Sequence, residues 1–151
     1  MIKLKTFGSF TVGNGLTSVQ EGAWRSEKLE KLFVYLAMNR NRGVCIEDIS
    51  EAIWQVEEET DNPVGALKNL AYRLRKALRD ASFGEECIVS VRGGLYKWND
   101  DVEVTIDVEE FDRYINEAEM AFCRSKETAI ESYEKAIALY HGDFLPLRTD
   151  T

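Results

Sequence analysis

Residues 63–80 read PVGALKNLAYRLRKALRD, and this stretch decides the fold class. Proline favours the first turn of a helix, where its missing N–H costs nothing, and Asn62 before it is a good N-cap. Apolar residues recur within one narrow arc at about 100° per residue, which predicts an amphipathic helix. They are Leu67, Leu70, Ala71, Leu74 and Leu78. The opposite arc is polar and basic, and it comprises Asn69, Tyr72, Arg73, Lys76 and Arg79, flanked by Lys68 and Arg75.

A glycine-tipped hairpin is predicted after this helix. Two β-prone runs, residues 88–91 and 95–98, enclose Arg92-Gly93-Gly94, a spacing typical of two strands joined by a short turn. Arg92 therefore stands at the tip of the hairpin. A long cationic side chain in this position can reach the minor groove of DNA, where a narrow groove concentrates negative potential. The two glycines are equally compatible with an ordinary tight turn.

The residues before 63 predict a small sheet and two further helices. Residues 2–12 alternate loosely and lead to an Asn14-Gly15 turn, which indicates a short antiparallel sheet. Ser26 is the predicted N-cap of the first helix, whose apolar stripe is Leu29, Leu32, Phe33 and Leu36. The second helix carries Ile46, Ile49, Ile53 and Trp54. A sheet, three helices and a hairpin together make a winged helix.

The charge is divided unevenly along the chain. The net charge of −8 argues at first against a polyanionic partner. Residues 1–101, however, carry 14 Lys and Arg against 15 Asp and Glu, whereas residues 102–151 carry 5 against 12. Within residues 62–98 the balance is 7 basic against 3 acidic. Two segments of different charge suggest two roles.

Beyond residue 101 the pattern is helical. Asp107 is the predicted N-cap of a fourth helix, and Glu110 stands where a capping-box partner belongs. The predicted buried stripe of the fourth helix is Phe111, Ile115, Ala118 and Phe122, and that of the fifth is Ile130, Tyr133, Ile137 and Tyr140. The two helices should form a helical hairpin. Because the apolar cluster at residues 144–147 has nothing after it to bury it, we expect this second domain to be truncated.

The predicted fold class is therefore α+β. Residues 1–101 form a winged helix with an N-terminal β-sheet, three helices and a C-terminal β-hairpin wing. Residues 102–151 form the N-terminal part of an all-α domain, a helical hairpin similar to tetratricopeptide-type (TPR-like) helix pairs.

Two segments carry a resemblance to a known family. Residues 71–78 (AYRLRKAL) and 91–98 (VRGGLYKW) resemble the recognition helix and wing of OmpR/PhoB-type winged helix-turn-helix proteins in both order and spacing. Residues 46–54 look like that family's second helix, whose final Trp approaches the DNA backbone; Trp54 takes this role by resemblance, and a plain core aromatic is the alternative. Residues 104–111 and 133–145 resemble the bacterial transcriptional activation domain (BTAD). The combination resembles the SARP family of antibiotic regulatory proteins.

The resemblance implies a bacterial, cytoplasmic transcriptional activator. Such proteins bind tandem direct repeats in double-stranded promoter DNA, associate side by side on them, and recruit RNA polymerase. An Arg common in the first turn of the family's recognition helix is absent here, because Gly65-Ala66 stands in its place. The first turn therefore offers only backbone N–H groups to a phosphate, and we expect the affinity for DNA to be modest.

Contacts can be assigned from the helical arc together with this resemblance. Arg reads guanine, Asn reads adenine, and Lys finds phosphates. Base contacts are assigned to Asn69, Tyr72 and Arg73, phosphate contacts to Lys68, Arg75, Lys76, Ser90 and Tyr96, and a minor-groove contact to Arg92. The acidic loop after the second helix is a candidate polymerase contact, with a plain solvated loop as the alternative; its residues are Glu57, Glu58, Glu59 and Asp61.

Other function classes are weaker. The sequence has no nucleophile-base pair, phosphate-cradling glycine loop or metal-ligand spacing, so neither an enzyme nor a cofactor is expected. Its cysteines lie far apart, His141 is single, and no apolar run or leader indicates a membrane or secretion. The main alternative is a protein-protein interaction module whose winged helix no longer binds DNA. The acidic total favours this alternative, whereas the basic helix and Arg92 favour DNA.

Overall fold

The computed structural model describes residues 1–53, 63–81, 83, 87–122, 124–140 and 142. Six strands and five helices occur in these ranges. The strands are β1 (Ile2–Lys5), β2 (Thr11–Gly13), β3 (Ser18–Gln20), β4 (Ile88–Val91), β5 (Leu95–Trp98) and β6 (Val104–Ile106). The helices are α1 (Glu27–Met38), α2 (Ile46–Ile53), α3 (Pro63–Asp80), α4 (Asp107–Ala121) and α5 (Lys126–Leu139).

The N-terminal sheet has the strand order β3-β2-β1-β6. The predicted antiparallel pairing of β1, β2 and β3 is confirmed, with Leu4 opposite Val12 and Val12 opposite Val19. Strand β6 adds on the other side of β1 and runs parallel to it, with Leu4 opposite Ile106. Strand β6, which follows the hairpin in the chain, is thus an edge strand of the sheet that begins at the N-terminus. The division of the chain at residues 101 and 102 stays a prediction.

The three predicted helices of the winged helix pack around one apolar core with the sheet and the hairpin. Helix α1 contacts α2, α3 and β5. The Ser26 side chain accepts a hydrogen bond from the Leu29 N–H, which confirms this N-cap. All predicted apolar residues of α3 are buried. Core packing therefore turns the polar arc of α3 away from the protein, as the sequence pattern predicted.

The hairpin of β4 and β5 is confirmed, and a third segment joins it. Ser90 lies opposite Tyr96 and Val91 opposite Leu95 in the antiparallel ladder. Val44, between α1 and α2, exchanges two backbone hydrogen bonds with Tyr96, at 2.7 and 3.0 Å. The hairpin is thereby tied, at the second residue pair from its tip, to the connection between the first two helices.

Asp107 corrects one prediction about helix α4. The residue in the N-cap position is Ile106, which makes no side-chain cap, and Asp107 is the first helical residue. Its carboxylate accepts hydrogen bonds from the Thr6 N–H, the Thr6 hydroxyl and the Phe7 N–H at 2.7 to 3.0 Å. The capping prediction was wrong because these donors come from a segment 100 residues earlier in the chain, which no local pattern reveals.

Helix α4 is also fixed to the winged helix by an ion pair and by edge-on and tilted contacts between aromatic rings. Arg40, after α1, makes a two-pronged contact with the carboxylate of Glu109 at 2.8 and 2.6 Å. The Phe7 ring lies 5.5 Å from that of Phe111 and 5.3 Å from that of Tyr140. The helical hairpin therefore packs directly on the N-terminal sheet.

Helices α4 and α5 pack against each other, as predicted, but through different residues. Ile130 and Ile137, predicted to be buried, are 55% and 70% exposed, and Tyr140 is exposed as well. The buried residues of α5 are instead Ala129, Ser132 and Ala136. These small residues let the two helix backbones approach closely, so the larger isoleucines point outward. In α4, Ala118 is buried as predicted, while Phe122 lies past the helix end and is exposed.

The α+β class, a winged helix followed by a helical hairpin, is confirmed. No helix among the described residues has both the length and the apolar character needed to span a bilayer.

Candidate nucleic-acid interface

Helix α3 presents one polar face to solvent. Because residues three and four apart share a helix face, burial of its leucines exposes the residues between them. Tyr72 is 60% exposed. The other exposed members of this face are Lys68, Asn69, Arg73, Lys76 and Arg79. Five of the six predicted contact residues of α3 thus lie on one accessible surface, and Arg75 is the sixth.

Arg75 lies at the edge of this face and is half-buried. Its Nε donates to the backbone carbonyl of Ile88 at 3.3 Å, and its Nη2 donates to the Ser90 hydroxyl at 3.2 Å. The guanidinium carbon lies 6.0 Å from the centre of the Tyr96 ring, within the range of a cation-π contact. Helix α3 and both strands of the hairpin are therefore joined by one side chain.

Arg92 occupies the tip of the hairpin and is exposed. Gly93 and Gly94 follow it with φ angles of 89° and 74°. Two successive residues in the left-handed region favour glycine because it has no Cβ. The turn is therefore tight, and it presents the Arg92 side chain to solvent at the end of a two-stranded arm.

The two predicted phosphate contacts on the hairpin differ in accessibility. Ser90 is exposed and accepts the hydrogen bond from Arg75. Tyr96 is only 9% exposed and belongs to the apolar core. Little of the Tyr96 side chain is thus available to a phosphate, and its ring mainly supports the hairpin.

Two predicted contact regions lie outside the described residues. These are Trp54 and the acidic loop of Glu57, Glu58, Glu59 and Asp61.

The distribution of charge separates the basic helix from its surroundings. Lys97, on β5, forms an ion pair with Asp100, so its charge is partly neutralised within the protein. Arg40 is paired with Glu109, and this hydrogen bond raises the pKa of the guanidinium against the opposing effect of partial burial. The exposed cations Lys68, Arg73 and Lys76 on α3 thus contribute most directly to a positive surface.

Metal-binding groups are absent from the part of the chain that the structure describes. There, no three His, Cys, Asp or Glu side chains lie close enough to hold an ion. Cys45 and Cys87 are both free thiols, and Cys87 is buried.

Sequence reasoning missed the connection between helix and hairpin. Arg75 and Ser90 are 15 residues apart, and Val44 and Tyr96 are 52 apart. The only sequence signal for the first contact was the position of Arg75 at the margin between the apolar and basic arcs of α3. A contact between elements of different type has no periodicity that would reveal it.

The fold and the exposed basic helix define the class of winged-helix DNA-binding proteins. Comparison with family models gives the family itself, because residues 21–98 match the model described as transcriptional regulatory protein, C terminal. The chain belongs to this family. The OmpR/PhoB-type resemblance of the winged helix is thereby confirmed, and the family is one of transcriptional regulators rather than enzymes. No curated protein matches the chain.

One solved structure shares the fold over nearly the whole chain. This is Mycobacterium tuberculosis EmbR in complex with a low affinity phosphopeptide, with a TM-score of 0.73 and 20% sequence identity. The match covers 95% of this chain but 37% of EmbR. The likeness in fold extends through the helical hairpin as well as the winged helix. The chain spans little more than a third of the length of EmbR.

Proposed function

We propose that this chain is the sequence-specific DNA-binding part of a transcriptional activator, with α3 in the major groove of promoter DNA and Arg92 in the adjacent minor groove. The observation that carries the proposal is the exposed polar face of α3 beside a hairpin tipped by an exposed arginine. A helix fits the major groove, and arginine is favoured in narrow minor grooves.

The contacts divide by chemistry into those that read bases and those that hold the backbone. Arg73 donates to guanine O6 and N7, while Asn69 and Tyr72 contact neighbouring base edges. Lys68, Lys76 and Ser90 bind phosphates, which sets the register of the protein on the duplex. Trp54 adds a backbone contact at the end of α2. Arg75 and Tyr96, which the sequence also assigned to phosphates, have a smaller part in this set, because Arg75 is bonded to the hairpin and Tyr96 is buried.

Binding to tandem direct repeats is proposed from the SARP-type resemblance, and the first turn of α3 is compatible with it. Gly65 and Ala66 supply no cation there, so one subunit makes few phosphate contacts, and affinity depends steeply on their number. Two subunits side by side on adjacent repeats double these contacts. Self-association on DNA is therefore part of the proposal.

Activation is proposed to act through RNA polymerase. The acidic segment of Glu57, Glu58, Glu59 and Asp61, which the sequence predicts to be a loop, would be repelled by DNA phosphates and attracted by basic residues of polymerase. Residues 102–151 form the proposed start of the BTAD. Charge reversal in the loop should reduce transcription and leave promoter binding intact. Reduced promoter binding would contradict this assignment.

Selection of bound genomic DNA fragments by the full-length protein tests the proposal. We expect an enriched motif made of two direct repeats, with affinity that falls as salt increases. A matched variant, Arg73→Ala combined with Arg92→Ala, should enrich no motif. Recovery of fragments without a shared motif by the unmodified protein would contradict sequence-specific reading.

A protein-protein interaction module is the second candidate. The net charge of −8 and the exposed Ile130 and Ile137 on α5 favour it, because an acidic protein with apolar surface suits a protein partner better than a polyanion. A gel shift with promoter fragments at moderate salt distinguishes the two candidates. The module would retard none of the fragments.

A further inference from the structure

Arg75 connects the two parts of the proposed interface. We propose that it is a positioning residue, which fixes the hairpin against α3 and thereby sets the place of Arg92 relative to the recognition helix. This inference rests on the proposed function, in which α3 and Arg92 enter adjacent grooves of one DNA site.

Two contacts of Arg75 fall on one rung of the hairpin, the pair of Ser90 and Tyr96. Ser90 accepts from its Nη2, and Tyr96, whose ring lies beneath the guanidinium, is the partner of Ser90 across the ladder. The carbonyl of Ile88, two residues before Ser90, accepts from Nε. One planar group thus contacts both strands, and its fixed fork of donors gives the contact a defined direction.

The same rung is held from its other side by the backbone. Val44 exchanges two hydrogen bonds with Tyr96, so β5 is tied to the connection between α1 and α2. No comparable backbone bonds join β4 to α3 in the described residues, and the Arg75 side chain supplies this connection. Rotation of the hairpin about its β5 edge would break the contacts of Arg75 first.

The distance from this rung to Arg92 is short. Arg92 follows Ser90 by two residues, which is about 7 Å along an extended strand. A small rotation of the rung therefore moves Arg92 only a short distance. A displacement of about 1 Å is nevertheless enough to weaken the contact of Arg92 with DNA. Arg75 acts on DNA mainly through Arg92 rather than through a phosphate of its own.

Arg75→Lys is the discriminating variant. Lysine keeps the positive charge and still binds phosphates as a point charge, but it cannot reproduce the forked contact with Ile88 and Ser90. A direct phosphate contact would largely survive this change. A positioning contact would be lost.

The first measurement is amide hydrogen exchange of the full chain without DNA. In Arg75→Lys, amides of β4 and β5 should exchange about fivefold faster, whereas those of α1 stay protected. Arg79→Lys, an exposed position one turn along α3, is the matched control and should leave the hairpin unchanged. Unchanged exchange in Arg75→Lys would overturn the proposal, and it does so whether or not the protein binds DNA.

The second measurement is a double-mutant cycle of Arg75→Lys with Arg92→Ala on the selected DNA site. Alone, each variant should weaken binding on the order of tenfold. In the Arg92→Ala background, Arg75→Lys should change affinity by less than about twofold, since independent sites would instead add. Hydroxyl-radical footprints should show loss of minor-groove protection for both single variants.

The two measurements distinguish failure of the positioning role of Arg75 from failure of the proposed DNA-binding function. Faster hairpin exchange with non-additive binding losses supports the positioning role. Faster exchange with additive losses overturns it, because Arg75 would then contact DNA independently of Arg92. If the unmodified protein binds no DNA, the proposed function fails and the DNA-positioning role fails with it. The exchange data still decide in that case whether Arg75 holds the hairpin.

Discussion

The guanidinium of Arg40 and the carboxylate of Glu109 face each other in a two-pronged pair, with nitrogen to oxygen distances of 2.8 and 2.6 Å. Arg40 follows α1 and also donates to the carbonyl of Ala37 at 2.9 Å. Glu109 stands in the first turn of α4. The pair therefore joins the winged helix to the helical hairpin, and the same guanidinium satisfies a carbonyl near the end of α1.

The coupling between Arg40 and Glu109 should be measurable but modest. Their side chains are 30% and 35% exposed, so solvent screens the pair, and a double-mutant cycle to alanine should give about 0.5 to 1 kcal/mol. The raised pKa of Arg40 means that its stabilising effect is complete below the ordinary Arg pKa and is lost only as pH rises above it. Urea unfolding should therefore give the same Arg40 contribution at about pH 7 and about pH 9. A coupling near zero would contradict a stabilising role for the pair.

Asp107→Ala should destabilise the protein by about 1 to 3 kcal/mol. Asp107 is buried, and its removal leaves the Thr6 and Phe7 N–H groups without their acceptor. Thermal or urea unfolding gives the free energy, and Asp112→Ala, an exposed position on the same helix, is the control. Equal losses in the two variants would indicate a general charge effect on α4 rather than loss of the contact with Thr6 and Phe7.

The sequence allowed the individual elements to be predicted better than their assembly. The bounds of α3 and the cap at Ser26 follow from local chemistry, because helix starts and apolar arcs are properties of neighbouring residues. The parallel pairing of β6 with β1 and the role of Asp107 join segments about 100 residues apart, and these were not predicted. Such contacts depend on how whole elements meet.

In the candidate interface, too, the features of single elements could be predicted from the sequence, whereas the contacts between elements could not. The exposed face of α3 follows from its period, and Tyr72 and Arg73 stand where the arc placed them. The sequence assigned Tyr96 to a phosphate, but its side chain is buried in the apolar core, and its backbone pairs with Val44. The link from Arg75 to Ser90 depends on the crossing of helix and hairpin, which no single element specifies.

Arg73→Ala should lose roughly 1 to 3 kcal/mol of binding free energy against the preferred base only, if its contact to guanine is bidentate. Arg73 is exposed at the centre of the polar face of α3. Fluorescence anisotropy on the selected site and on sites with that base replaced provides the measurement. Equal losses on all sequences would contradict base reading.

Lys76→Ala should flatten the salt dependence and leave sequence preference unchanged. A phosphate contact made by lysine adds about 0.9 to the slope of log affinity against log salt, because binding releases condensed counterions. The slope is obtained from titrations at several salt concentrations on preferred and altered sites. Arg73→Ala provides the contrasting variant, and relaxed preference in Lys76→Ala would overturn its assignment to a phosphate.

Ile137→Ala should change the free energy of unfolding by no more than about 0.5 kcal/mol, although the spacing of apolar residues in α5 predicts a buried position. The Ile137 side chain is 70% exposed, while Ala136 beside it is fully buried against the rest of the protein. Leu74→Ala in the core of α3 is the reference and should cost about 2 to 5 kcal/mol, because it leaves a cavity. Urea unfolding of both variants provides the comparison. A loss at Ile137 as large as that at Leu74 would mean that in solution this isoleucine is covered, and that α5 packs through the face that its large residues define.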